Sequence, residues 1–413
     1  MANLLIYNIG LLATPIGNKA NSGPKQDEIT FIENAYIYIE DKIIKEVGKG
    51  QGPDADAKLD AKGKLVTPGL VDSHSHLVFG GNRANELKMK LEGKSYLEIL
   101  ESGGGILSTV KATNNASFEE LYQKAYKDLD EMLSYGTTTL EAKSGYGLSF
   151  EQELKQLEVV KELNKNHPID LVSTFMGGHA LPVEYKDNRE IFIDEVCEKM
   201  IPYISENRLA EFCDVFCEKG VFDVEETRKI LQTGQKYNLK SKIHADEIEA
   251  IGGSQLAGEL NAISAEHLIV CDEKGMEAMS KSGTIACLLP CTSLYLGADF
   301  AKAKAMIEHN IPIALASDYN PGSCPSLNMQ LVMNLACLKY RMSPNQVLNA
   351  VTLNGAAAID KADKIGTIET GKQADIIIWD TNDFNYIFYR LGSNLVDKVI
   401  KKGRILIDNE KTC

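Results

Sequence analysis

Between Gly69 and Ala316, eight short apolar segments alternate with helical stretches that carry charged faces. Outside this region, at both ends of the chain, the texture turns β-rich. Five of the seven histidines fall where the eight segments end. Together these features predict an α/β protein, a (β/α)8 TIM-type barrel with a smaller composite β-sandwich domain built from the N- and C-terminal segments. A doubly wound open sheet is the alternative, but it would want a phosphate loop after its first strand. The glycine cluster Gly103–Gly105 follows a helical stretch and reads as a loop.

In chain order, Leu4–Leu12, Phe31–Ile39 and Lys42–Val47 are rich in Ile, Leu, Val and Tyr and read as strands, with a hairpin turn at Glu40-Asp41. Asn18–Gln26 is a polar loop. The barrel strands are expected at Gly69–Asp72, Thr137–Ala142, Asp170–Met176, Glu211–Phe216, Leu239–Ile243, Ala262–Ala265, Thr284–Leu289 and Pro312–Ala316. Helical patterns fall at Phe118–Ser134, Phe150–Lys165, Glu190–Ile204, Val224–Tyr237, Ser254–Glu259, Glu273–Ser280 and Ala301–Glu308. Ile376–Trp379 and a strand pair within Val399–Ile407 close the chain. Residues 1–67 with 363–413 are therefore assigned to the composite β domain, and 68–362 to the barrel.

Composition excludes several functions. A net charge of −14 disfavours nucleic acid and anionic membranes, because phosphate contacts need clustered Lys and Arg. No apolar run reaches transmembrane length, and MANLLIYNIG lacks the basic and apolar regions of a secretory signal. Nine scattered cysteines with no Cys-x-x-Cys pair read as reduced, buried thiols. A cytoplasmic enzyme or binding protein is expected.

The strand ends carry the chemistry, since barrel active sites lie where strands pass into βα loops. His74 and His76, one residue apart, would project from the same face of the first strand. Lys143–Gly147 follows the second strand, Gly177-Gly178-His179 the third and Cys217-Glu218 the fourth. His244–Glu247 follows the fifth, Glu266-His267 the sixth and Ser317–Ser323 the eighth. His74, His76, His244 and Asp318 make a three-nitrogen, one-oxygen set that suits one Zn or Fe ion, divalent or trivalent, with a position open for water. Asp318 is a candidate acceptor for that water's proton, His267 for orienting or protonating an oxyanion, and Glu247 for shuttling a proton to a leaving nitrogen. Lys143 reads as a structural charge rather than a metal-bridging group, because no second ligand set accompanies it. His167 and His309 lie away from strand ends and read as solvated.

These residues resemble the amidohydrolase superfamily of metal-dependent barrels. Over nearly the whole chain the sequence is similar to the imidazolonepropionase family of histidine degradation. HLVFGGNRANE, GGGILSTVKAT, YGTTTLEAKSGYGL, HADEIE and DYNPGS carry the likeness. The resemblance implies hydrolysis of 4-imidazolone-5-propanoate to N-formimidoyl-L-glutamate, with metal on His74, His76, His244 and Asp318. It also implies a substrate pocket of Arg83, Tyr146, His179, Glu247, Asn320, Gly322 and Ser323, and a homodimer. Arg83 is expected to pair bidentately with the propanoate carboxylate. Two positions depart from the family pattern, Asn114 where an Arg is common and Tyr389–Asn394 where a His-containing motif is expected. Two other functions fit less well. A cytosine- or guanine-type deaminase would share the His244-x-x-Glu247 and His267 pattern, but a nucleobase gives Arg83 no carboxylate. A barrel kept as a binding or assembly module should have lost some of its ligands.

Overall fold

A computed structural model describes residues 3–94, 98 and 103–409. The strand β5 (Leu65–Pro68) ends at a Pro-Gly step, and β6 (Leu70–Asp72) resumes in a different sheet. Gly69 is the pivot, because a Cβ there would lie 2.4 Å from the Thr138 hydroxyl. This short junction is where the chain leaves the β domain and enters the barrel.

The β domain is one hydrogen-bonded sheet. Its N-terminal members are β1 (Leu4–Thr14), β2 (Thr30–Glu40), β3 (Ile43–Lys49), β4 (Ala57–Asp60) and β5. Its C-terminal members are β14 (Ile376–Trp379), β15 (Val396–Lys401) and β16 (Arg404–Asp408). The order is β16-β15-β14-β5-β1-β2-β3, with β4 also pairing β1. The two ends of the chain join where β14 runs antiparallel to β5, Ile377 opposite Thr67. The expected two layers arise by curling, since Ile43 of β3 bridges Gln373 just ahead of β14. Alternate residues Leu4, Ile6, Ile37, Ile39, Ile376 and Ile378 fill the space inside the curl.

The barrel strands are β6, β7 (Thr137–Lys143), β8 (Asp170–Gly178), β9 (Phe212–Cys217), β10 (Lys240–Ala245), β11 (Ser264–His267), β12 (Ile285–Leu288) and β13 (Ile313–Leu315). Each pairs in parallel with the next. Between β13 and β6 the ring closes beyond the strand ends, through a parallel bridge from Ser75 to Tyr319. His76 N–H donates to the Tyr319 carbonyl (2.8 Å) and Asp318 N–H to the His74 carbonyl (3.0 Å). Asp72 adds to the seam by accepting from the Ser317 backbone (2.9 Å) and hydroxyl (2.5 Å).

The expected helices form where an apolar stripe meets a cap. Phe118–Ser134 buries Leu121, Ala125, Leu129, Met132 and Leu133, and Ser117 and Glu120 close a capping box at its start. Helices at Ala84–Leu91, Ile106–Asn115 and Pro290–Leu296 were not expected, since their sequences are short and mixed in polarity. Gly105 opens the second of these. The helical stretch expected just before Gly103 lies outside the described residues. Asn114, where the family pattern has Arg, donates to the Gly147 carbonyl (3.2 Å). All eight described cysteines are free and seven are buried.

The polar loop between β1 and β2 fastens the two domains. Gln26 is fully buried and accepts from Ile313 N–H of β13 (3.0 Å), while Asn21 and Asn354 exchange two hydrogen bonds (2.8 and 2.9 Å). No described helix is long and apolar enough to cross a membrane.

Candidate active site

Alternation along the barrel strands sends Glu141 and Lys143 of β7, Asp214 of β9, Lys242 and His244 of β10, and Glu266 of β11 to the interior. All are buried, and the carboxylates and lysines form a charged layer beneath the histidines. Lys143 Nζ lies 2.7 Å from Asp214, 3.0 Å from Glu141 and 3.7 Å from Glu266. Lys242 Nζ lies 2.8 Å from Glu141 and 3.6 Å from Glu266. Burial alone would lower the Lys143 pKa, but Asp214, Glu141 and Glu266 push it up. Burial would likewise raise the pKa of Asp214, but the His244 and Lys143 charges hold it low.

Two of these carboxylates brace histidines above them. His74 Nδ1 bonds to Glu266, and His244 Nδ1 to Asp214 at 3.1 Å. Each ring is thereby turned so that its Nε2 is buried with no hydrogen-bond partner. Asp318 Oδ1 lies 3.3 Å from His74 Nε2 and 3.6 Å from His76 Nε2, and its other oxygen accepts from Thr292 (2.6 Å). Burial holds His74 and His76 well below the ordinary histidine pKa, so their nitrogens are neutral at pH 7. Three groups of potential ligand atoms share His74, one with His76 and Asp318, one with His244 and His267 and one with Glu266 and Cys287, each within 4.8 Å. Neutral His74 and His76 nitrogens and the unpartnered His244 Nε2 converge beside the Asp318 carboxylate, a set that fits a single divalent cation. Burial would lower the His244 pKa but Asp214 raises it, so a cation bound there would displace a proton from His244.

The backbone is strained here. Asp318 (φ 54°) and His267 (φ 69°) both take the left-handed region, which costs a non-glycine residue about 1 kcal/mol.

Above these groups opens a cavity of about 340 Å³. Of the residues singled out in the sequence, His76, Arg83, Tyr146, His179, His244, Glu247, His267, Asp318, Asn320, Gly322 and Ser323 line it, and His74 is buried behind them. Burial raises the Glu247 pKa to about 7, and Glu247 lies 3.6 Å from His267 Nδ1. Burial lowers His267 to about 4 and His179 to about 3, so both are neutral. His179 stacks on His76 at 4.9 Å, and its Nδ1 bonds to the Gly145 carbonyl (3.0 Å). Asn320 binds its own loop, accepting from the Gly322 and Ser323 amides (2.8 Å each).

Arg83 differs from expectation in one respect. Its Nε and Nη2 already hold Glu86 bidentately, at 2.8 and 2.7 Å. A ligand carboxylate must therefore use the other edge of the guanidinium. Glu86, Asp214 and Thr292 were not singled out from the sequence. The usable signal for Asp214 was a charge centred in the apolar run Phe212–Cys217. Thr292 and Glu86 gave none. A larger surface cavity, about 480 Å³ beside Arg189 and Glu218, holds none of the histidines.

Comparison with known proteins bears on the family and the fold. Residues 215–406 match the model of the Amidohydrolase family. An imidazolonepropionase of Alkaliphilus metalliredigens is 51% identical over 99% of both chains, and one of Fusobacterium nucleatum is 52% identical over 98% of this chain and 99% of the relative. Among solved structures, the guanine deaminase of E. coli superposes with a TM-score of 0.75 over 99% of each chain, at 16% identity. An adenosine deaminase from Xanthomonas campestris with bound zinc gives 0.73 over 98% of this chain and 93% of that one, at 17% identity. The solved structures share the fold alone, whereas the sequence relatives match throughout. At about half identity over nearly the full length of both chains, the chain belongs to the imidazolonepropionase family of amidohydrolases.

Proposed function

We propose that the protein hydrolyses 4-imidazolone-5-propanoate to N-formimidoyl-L-glutamate, using one Zn or Fe ion held by His74, His76, His244 and Asp318. The observation that carries this reading is the pairing, in one cavity, of the orphaned histidine nitrogens with a guanidinium, Arg83. The ion would polarise the ring carbonyl and lower the pKa of a water beside it. In the net reaction water adds to the ring carbonyl carbon and the adjacent ring C–N bond breaks. The freed nitrogen takes one of the water's protons, the other protonates the product's basic formimidoyl group or leaves to solvent, and the carbonyl carbon becomes the product's new carboxylate.

The chain's own groups suit this sequence. Glu247, with a pKa near 7, can take a proton from water and return it to the leaving nitrogen. Neutral His267 can hold the developing oxyanion by hydrogen bonding, and Asp318 is the alternative first acceptor of the water's proton. Arg83 would anchor the propanoate, with Tyr146 and Ser323 adding neutral hydrogen bonds. His179 would face the ring, while Asn320, which holds the Gly322 and Ser323 amides, and Gly322, which packs on Arg83, would shape the pocket beside the anchored carboxylate. A deaminase substrate on the same barrel would bring no carboxylate to the guanidinium edge that Glu86 leaves open, so the carboxylate-bearing substrate is favoured.

The reading extends to a cytoplasmic homodimer, consistent with an acidic chain and with the family resemblance. Light scattering gives the oligomeric state directly. The central test is hydrolysis of imidazolonepropanoate by purified protein alongside metal quantitation. Metal-loaded protein should turn over and chelated protein should not. His244→Ala should lose metal, while Arg83→Ala should keep it and show KM raised roughly 10–100-fold, the worth of a charge-assisted pair. No turnover by fully loaded protein would sink the reading.

A further inference from the structure

Arg83 has five N–H donors. Glu86 engages the Nε/Nη2 edge in a fork-to-fork pair, both side chains largely buried at 16% and 8% exposure. The Nη1 side lies against Gly322, where a Cβ would come within 1.9 Å of Nη1 and 3.3 Å of Nη2. No hydrogen bond from Nη1 is present among the described residues. Glu86 Oε1 also accepts the Gly105 N–H at 2.7 Å, at the start of the helix Ile106–Asn115, and Ile106 lines the same cavity.

From this geometry we infer that Glu86 is a positioning residue that sets carboxylate specificity, an inference that rests on the carboxylate substrate read above. By occupying one edge of the guanidinium, Glu86 turns the Nη1/Nη2 edge toward the cavity. A ligand carboxylate then chelates that edge end-on, next to the edge that Glu86 holds on the same guanidinium. Two carboxylates share one cation in that arrangement, and the Gly105 amide at the helix N-terminus takes part of the Glu86 charge. Glu86 thereby fixes the anchor. Gly322 has no side chain because the guanidinium fills the space one would need.

The test compares imidazolonepropanoate with its propanamide analogue on wild type, Glu86→Gln and Glu86→Asp. For Glu86→Gln the KM for the propanoate should rise about tenfold with kcat within about twofold, and the KM for the propanamide should not move. Glu86→Asp keeps the charge but is one methylene shorter, so it should shift the preference the same way by less. That variant carries the test if Glu86→Gln does not fold. In an Arg83→Ala background, Glu86→Gln should add nothing. A KM for the propanoate that is unchanged or lower, or equal rises for both compounds, overturns the role of Glu86. Wild type with no preference for the propanoate overturns the Arg83 anchor itself, a separate result.

Discussion

At the scale of single residues, Glu247 makes the sharpest demand. Its carboxyl sits in a cavity wall with its pKa raised by burial to about 7. Below that value it holds a proton and cannot accept one from water, and above it the carboxylate is free to do so. The expected outcome is a kcat/KM that rises with pH along a limb centred near 7. Glu247→Gln should remove that limb and lower kcat about 10²–10⁴-fold while metal content stays intact. A limb that survives in the Gln variant would assign it to another group, with Asp318 the next candidate. Much at this scale was legible in the sequence, because histidines and acids clustered at predicted strand ends and each barrel strand end faces the same cavity. What the sequence could not give was orientation. Arg83 was expected to offer its bidentate edge to substrate, yet Glu86, three residues on, takes that edge. Spacing of three places two side chains on one helix face, but it does not say which edge of a guanidinium stays free.

At the scale of elements, the strands explain why the ligands are fixed. Two-residue periodicity puts Glu141 with Lys143, and Lys242 with His244, on the inner face of their strands. The expectation that Lys143 is a structural charge fits its neighbours, since its ammonium lies between the carboxylates of three strands. The sequence displayed each of these charges inside an apolar run, but their mutual pairing depends on register across four strands and is not a local property. Removing one member of a buried network leaves the others unpaired. Lys143→Met should therefore cost about 3–5 kcal/mol in urea unfolding. It should also weaken metal binding roughly 10–100-fold, because Asp214 and Glu266 would no longer be held against His244 and His74. A variant with full metal affinity would separate the charged layer from the site above it. The unexpected helices at Ala84–Leu91 and Ile106–Asn115 have the same origin as the Arg83 surprise. They are short, and tertiary contacts such as the Glu86–Gly105 bond define them more than periodicity does.

At the scale of the whole molecule, the barrel's weakest joint and the candidate metal site coincide. Seven of the strand neighbours are joined by ladders, whereas β13 and β6 meet through one bridge and a few hydrogen bonds beyond their ends. The residues making those bonds are His74, His76 and Asp318 or their immediate neighbours, so an ion bound there would clamp the seam as well as serve chemistry. A ligand that binds only the folded state stabilises it in proportion to its affinity, and here the stabilisation should be local. Chelation should then speed amide exchange at Ser75, His76, Asp318 and Tyr319 by about tenfold or more. Exchange along the shared edge of β7 and β8, paired in unbroken register from Thr139 to Lys143, should change little. The composite sheet should be less affected than the seam, since Lys401 and Lys402 also hold it to Asp170 at the start of β8. Equal acceleration across the barrel would mean that the ion stabilises the fold globally and that the seam has no special dependence on it. Acceleration confined to the seam would mean that closure of the ring, which the strands leave incomplete, is finished by the ligands of the site.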